Sequence, residues 1–589
     1  MMRDTEAPPP GAPPVRPAPD AAPATRTRIG PRWRKGAIRA AILVALLYFF
    51  GIPMVRLTWL SFSEPSGYGL GNYTTVLTRG DTWVSVYNTM YTSVLSTIMA
   101  TVLGVGFAWL VAYTDIRGKK FMQPLIVLPF ILPPYVVTLA WAQTFGKSGL
   151  GTGLLGLLPF HIDVNMYSLN GIAYVLGITH FPIVYLLVVG VMRRIPREME
   201  QAARASGAGR WVTLRKVTIV AAMPGIAAGA LLAFLTGLDN FGVPAFLGIP
   251  AGIDVLSTSI YQQIVGFGPS AFYRAAALSM LLGVIAVVGT VAQWAIVRRT
   301  NQSETVEADT RPRVKLTRSR APIQVIVWTF LALINVIPLL SMVLTSLSPA
   351  LGVATTLSNA SFKHYLTLLQ KSGDMRAALA TSGRLALLTM LACLVIGTYI
   401  AYVRTRQASR MSKIVDAVVA LPYALPGIVM ALAIIFAWVQ PLPGVYPGIY
   451  GTWLILLVAY VTRFTFYQVR SSAAAFGQID RQVEEAARAS GAGTFATWRR
   501  IMVPLLTAGL MAGAGLVFLT AISELTVSSI LYSARSKTIG VVIFSYEQAG
   551  YSNLSTAAST LVLLVYAIVG VLAVVLHSVV KHRVGEQRG

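Results

Sequence analysis

Charged side chains are scarce in this sequence. Lys, Arg, Asp and Glu together make up 12% of it, about half of the ~25% usual for a soluble domain. So few charges cannot cover an ordinary water-facing surface, and a mean hydropathy of +0.65 points the same way. Acidic residues are the rarer sign, 22 against 48 basic, for a formal charge of +26. Cysteine occurs once, at Cys393, which excludes an intramolecular disulfide and a cysteine metal cluster. Of the five histidines (His161, His180, His364, His577 and His582) only the last two are closely spaced. No metal site is expected in the chain. The alternating ten-residue segments of a β-barrel are missing as well.

Long apolar runs are what the chain has instead. About 20 residues of helix cross ~30 Å of hydrocarbon, and runs of that length recur from end to end. They predict an all-α polytopic membrane protein with about twelve transmembrane helices. The first six are expected near 37–62, 89–113, 121–145, 171–192, 217–236 and 275–297. The second six fall near 322–346, 382–403, 413–439, 450–469, 502–522 and 557–579. Residues 1–35, rich in Pro, Ala and Arg, read as a disordered tail that cannot bury a core. Arg26, Arg28, Arg32, Arg34 and Lys35 then precede the first apolar run, which is too long for a cleaved signal peptide. The chain thus divides into a tail (1–35), a first half (36–297), a basic linker (298–321), a second half (322–580) and a short tail (581–589).

The basic residues lie in short loops rather than on one stripe, so a nucleic-acid partner is not expected. With the N-terminus in the cytoplasm and each span crossing once, inner loops collect Arg117, Lys119 and Lys120, the cluster from Arg193 to Lys216, the linker, the set from Arg404 to Lys413, and Arg481 to Arg500. Outer loops keep fewer, among them Arg79, Lys147, Lys363, Lys371, Arg376, Arg535 and Lys537. That is the positive-inside pattern. It predicts a multi-pass membrane protein, surrounded by lipid, with both termini cytoplasmic.

One polar stretch occurs twice. Residues 200–209 read EQAARASGAG and residues 484–493 read EEAARASGAG; only Gln201 and Glu485 differ. Basic pairs follow each copy, Arg215-Lys216 and Arg499-Arg500. The duplication extends to LPFILPP (128–134) with LPYALPG (421–427), and to FLTGLDNFGVPAFL (234–247) with FLTAISELTVSSIL (518–531). Two homologous six-helix halves in the same orientation form a parallel repeat, which transporters use to place a pathway between the halves. Both polar copies then face the cytoplasm.

Each copy reads as a short helix with a small-residue face, ended by Gly207 or Gly491, which could also permit close approach of another protein. Glu485 would sit at the helix start, where the dipole favours a carboxylate. An ordinary connector helix explains one copy less well when two matched ones exist. Pro129, Pro133, Pro422 and Pro426 kink their helices and shape either a pathway or only the packing. Asp239 and Glu524, at the outer ends of the fifth spans, are pathway candidates because ionisable groups at membrane depth are costly. They are not equivalent: Asp239 aligns with Ser523, and Glu524 with Asn240. Arg56 and Arg384 can snorkel. Gly146-Lys147-Ser148 mimics the end of a P-loop, but Trp141 stands where the motif needs glycine, so no nucleotide chemistry and no catalytic residue is expected here.

Glu485-Ala486-Ala487, with Gly491, Ile501 and Pro504 behind it, resembles the EAA loop of ABC importer permeases. Glu200, Gln201, Ala202, Ala203 and Gly207 form the first copy, and Glu484 completes the second; Gln201 and Val220 depart from the pattern. The fused double layout more particularly resembles ferric-iron importer permeases, with thiamine, phosphonate and polyamine permeases as relatives. The resemblance implies a type I importer permease (MetI-like) fold in each half, the two loops docking a pair of ATPase subunits that carry ATP and magnesium, and an extracytoplasmic substrate-binding protein. It implies transport, most particularly of ferric iron, without bond chemistry in this chain. An ion-coupled secondary transporter is the competing class, and a channel or scaffold leaves the duplication unexplained.

Overall fold

The recurrence seen in the sequence reappears as a recurrence of helices in the computed structural model. The structure describes residues 44–299 and 309–586, apart from breaks at 65–66, 158, 160–162, 267–268, 351, 354, 357, 408 and 440–447. The expected disordered tail (1–35) and the centre of the linker lie outside the described residues. The first half runs through α1 (Ile52–Ser61), α2 (Gly80–Tyr113), α3 (Lys119–Ile131), α4 (Pro134–Thr144), α5 (Leu169–Met192), α6 (Arg197–Ala205), α7 (Ile219–Asp239), α8 (Gly242–Leu247), α9 (Leu256–Gly266) and α10 (Pro269–Arg299). The second half repeats this order with α11 (Arg320–Leu331) and α12 (Ile337–Leu347) forming its first span. Then come α13 (Gly373–Arg406), α14 (Arg410–Ala424), α15 (Gly427–Trp438), α16 (Trp453–Gly477), α17 (Arg481–Ala489), α18 (Val503–Ile522), α19 (Ser528–Leu531), α20 (Ile539–Gln548) and α21 (Ser552–Glu586). The last helix thus continues through the first residues of the expected C-terminal tail.

Among the described residues nine helices are long and apolar enough to cross a membrane, or up to twelve if each of three bent pairs is one span. Two of those pairs correct the expected third spans. They are not kinked rods but two helices meeting at 101° (α3 and α4) and 111° (α14 and α15). Leu132 and Leu425, each followed by proline, have extended ψ values of 145° and 144°. A residue before proline is driven out of the helical region, and the paired prolines therefore break the helix outright. The third pair, α8 with α9, bends by 72°. It and its counterpart α19–α20 occupy stretches expected to be outer loops. Both are buried hairpins, and Phe544 of α20 packs on Phe241, Phe246 and Tyr261 from the first half. Conversely α16, 25 residues long, carries Arg463 and Arg470 and is not among the nine.

Two equivalent glycines set a matched pair of tight helix crossings. A Cβ on Gly104 would lie 2.6 Å from Val184 Cβ, and one on Gly397 would lie 2.8 Å from Gln468 Cβ. Small residues let membrane helices approach to backbone contact, so α2 crosses α5 and α13 crosses α16 in the same way. The first spans are exchanged: α1 packs on α15, and α12 packs on α4. The halves are therefore not separable bodies, and from Leu46 onward the chain forms one compact unit.

Candidate functional site

Each copy of the repeated motif is a nine-residue helix, α6 or α17. Their ends are built alike. Ala208 N–H donates to Ala203 O and Gly207 N–H to Arg204 O; Ala492 N–H donates to Ala487 O and Gly491 N–H to Arg488 O, all at 3.0 Å. This is a Schellman ending, whose C′ residue must be left-handed, and Gly207 and Gly491 have φ of +87° and +79°. No atom lies within 4 Å of a Cβ placed on either. The glycines end the helices; nothing crowds them.

The two acidic positions of the motif differ in kind. α17 begins at Arg481, behind Asp480, whose side chain accepts from Gln482 N–H at 3.1 Å. Glu485 is therefore mid-helix, not at the start as expected, and the first-turn carboxylate is Glu484. Glu484 is buried, and its Oε1 accepts from Arg406 Nε at 2.7 Å. Glu200 is held likewise: its Oε1 accepts from Tyr113 Oη and Thr218 Oγ1, both at 2.7 Å, and Arg313 lies 3.3 Å from Oε2. Glu200 and Glu484 anchor the helices to the body of the protein. Gln201 and Glu485 point outward and are exposed, so the one difference between the copies lies on the free surface. Beside each helix stands a large exposed aromatic that the sequence reading missed: Trp211 (72% exposed) and its counterpart Phe495 (78%). A cavity of about 450 Å³ opens at α6, lined by Tyr113, Arg204, Arg210 and Trp211 among others.

The other predicted residues meet in a second place. A cavity of about 230 Å³ is lined by Pro129, Pro133, Asp239, Glu524, His180, Arg463 and Tyr467 among others. The first elbow, the ends of α7 and α18, and α16 converge there. Asp239 crosses between the halves: Oδ1 accepts from Gly427 N–H at 2.5 Å and Oδ2 from Arg463 Nη2 at 2.7 Å. Gly427 stands where the first elbow has Pro134, and its N–H supplies the donor to Asp239 that a proline lacks. Glu524 does something else. Its Oε1 accepts from Val527 N–H at 2.7 Å and its Oε2 from Ser528 N–H at 2.9 Å. Asn240 holds Val243 N–H at 2.9 Å in the matching place, so Glu524 caps a hairpin as Asn240 does. Pro422 and Pro426 shape the second elbow without lining this cavity. Arg384, expected to snorkel, lies 4.5 Å over the Trp453 ring. Arg463 was legible as a lone cation inside an apolar run and was missed. Among the described residues no group of three His, Cys, Asp or Glu side chains converges as a metal site would.

The chain matches a family model twice, over residues 100–302 and 393–586, described as binding-protein-dependent transport system inner membrane component. The chain belongs to this family. The permease is similar along most of its length to a probable ABC transporter permease (y4fN) of Sinorhizobium fredii, 25% identical over 85% of this chain and 88% of that one. It is also similar to the ferric transport system permease FbpB of Actinobacillus pleuropneumoniae, 24% identical over 90% and 77%. A third relative is the Fe(3+)-transport system permease FbpB 2 of Haemophilus influenzae, 24% identical over 88% and 96%. It is a multi-pass ABC importer permease that holds two copies of the family's unit in one chain.

Proposed function

We propose that this permease carries ferric iron inward, driven by two separate ATPase subunits and fed by an extracytoplasmic binding protein. The motif side faces the cytoplasm, as do both termini, and α6 and α17 each dock one ATPase subunit. One observation carries this reading: two helices with the same ending and the same carboxylate anchor present exposed faces, each with a large exposed aromatic beside it. Exposed aromatics flanked by polar positions are common anchors of protein interfaces. The ATP and magnesium belong to the ATPase subunits. Closing of their dimer draws α6 and α17 together and rocks the halves, by differential binding to the two states. The central cavity, with Asp239 and Arg463 bridging the halves, is then the pathway at a closed point; Pro129 and Pro133 line it, and Pro422 and Pro426 set the second elbow behind it.

The choice of cargo rests on layout. The ferric permeases match this chain over 88–90% of its length, whereas a molybdenum permease and a sulfate permease of Escherichia coli match only 36% and 38% of it. Uptake of radiolabelled ferric iron by a strain lacking the gene is expected to fall and to return with the gene. Unchanged iron uptake, with a loss of thiamine, phosphonate or polyamine uptake, would reassign the cargo.

A further inference from the structure

The second half braces its motif helix with a residue of its own. Arg406, the last residue of α13, donates from Nε to Glu484 and from Nη2 to Ile479 O, each at 2.7 Å. The first half repeats the carboxylate as Glu200 and the carbonyl as Ile195, but at the position of Arg406 it has Tyr113, which carries no charge. The guanidinium comes instead from the linker. Arg313 donates from Nη2 to Ile195 O at 2.5 Å, places Nη1 3.3 Å from Glu200 Oε2, and lies 4.8 Å over the Tyr113 ring. Its side chain is 7% exposed.

The segment that delivers it is laid down along its length. Arg313 N–H and Val314 N–H both donate to Tyr113 O, at 2.8 and 2.9 Å, and Asp115 N–H donates to Val314 O at 3.2 Å. Asp309 N–H donates to Arg193 O at 2.8 Å, and its carboxylate pairs with Arg197, the first residue of α6, at 2.5 Å. Leu316 N–H donates to Asp115 Oδ1 at 2.8 Å, and Arg320 pairs with the same carboxylate.

We infer that residues 309–316 are a brace of the first coupling helix, with Arg313 supplying from the linker the guanidinium that Arg406 supplies from within the second half. The joint between the halves is thereby a working part of one dock and not of the other. Its bearing on transport rests on α6 being a dock, as proposed above. Arg313 is a positioning residue that acts through Glu200.

The test uses the full complex in lipid nanodiscs, read by hydrogen exchange. Arg313→Ala is expected to speed exchange of the amides at 202–208 by about tenfold or more, since it leaves a carboxylate that is only 13% exposed without its cation, and to leave those at 486–492 unchanged. Adding Tyr113→Arg to Arg313→Ala, which restores the guanidinium from the Arg406 position, is expected to return the protection and the substrate-stimulated ATP hydrolysis. Arg313→Gln serves in the same comparison if the alanine variant fails to assemble. Unchanged exchange at 202–208, or exchange that Tyr113→Arg does not restore, overturns the inference. Exchange that changes and is restored while ATP hydrolysis never moves would uphold the brace and overturn the docking role of α6.

Discussion

Replacing Glu484 by alanine is the sharpest perturbation of the second motif helix, because the structure assigns the anchoring role to this carboxylate and not to its neighbour. The Glu484 and Arg406 side chains are each 10% exposed. Removing one partner of a fully buried pair costs about 3–5 kcal/mol, since the other charge stays uncompensated. Arg406 keeps the Ile479 carbonyl at 2.7 Å and the Phe476 ring at 5.9 Å, which lowers the expected cost to about 2–3 kcal/mol. A helix of nine residues is too short to persist alone, where about 12–15 are needed even for a marginal helix. The loss therefore falls on the packed state of α17 directly. At about 1.4 kcal/mol per factor of ten, amides at 486–492 should exchange roughly 30- to 100-fold faster in the intact complex. Glu485→Ala changes an exposed side chain and should stay within about 0.5 kcal/mol, with exchange unmoved. Equal effects of the two substitutions, or none from Glu484→Ala, would refute the assignment.

Asp239→Asn keeps the side chain's shape but removes the charge facing Arg463. Asp239 is 35% exposed, so a shift of about 1.4 kcal/mol, between the worth of an exposed pair and that of a buried one, is expected. ATP hydrolysis without the binding protein should rise about tenfold if this pair holds the halves in the present state, and an unchanged rate would remove that role. The linker contact should be insensitive to pH in the physiological range. The Arg197 guanidinium holds the Asp309 carboxyl down to about 2, so its contribution is complete above the ordinary carboxylate value near 3.8 and is lost as pH falls through about 2. Protection of the amides at 309–316 against hydrogen exchange, after correction for the intrinsic pH dependence of exchange, should accordingly stay flat from pH 8 to pH 5, and a loss of protection over that interval would contradict the pairing.

The broad architecture was legible because apolar length and repetition are strong signals. The runs placed the helices, and the recurrence of AARASGAG behind Glu200 and Glu484 placed two equivalent surface helices. Local detail was less legible where the physics is tertiary. A proline pair announces a break, yet only the extended backbone at Leu132 and Leu425 shows a full elbow. The hairpins 242–266 and 528–548 are too short to look like spans and too apolar for open loops, and packing against each other's aromatics decides their place. Glu484 and Glu485 are identical residues side by side, and nothing local says which one is buried. Arg463 was findable as a cation in an apolar run, but its partner Asp239 lies 224 residues away. Arg313 looked like one more linker charge until the absence of an arginine at Tyr113 gave it a place to go.

Cross-linking from the two exposed motif positions tests the central claim most directly. In a Cys393→Ala background, single cysteines at Gln201 and Glu485 would be combined with the ATPase subunits in the assembled complex. The account predicts that each forms a cross-link to an ATPase subunit, and that cysteines at Asp81 and Asp374, near the starts of α2 and α13, form none. Cross-links from those two positions, with none from 201 and 485, would contradict it.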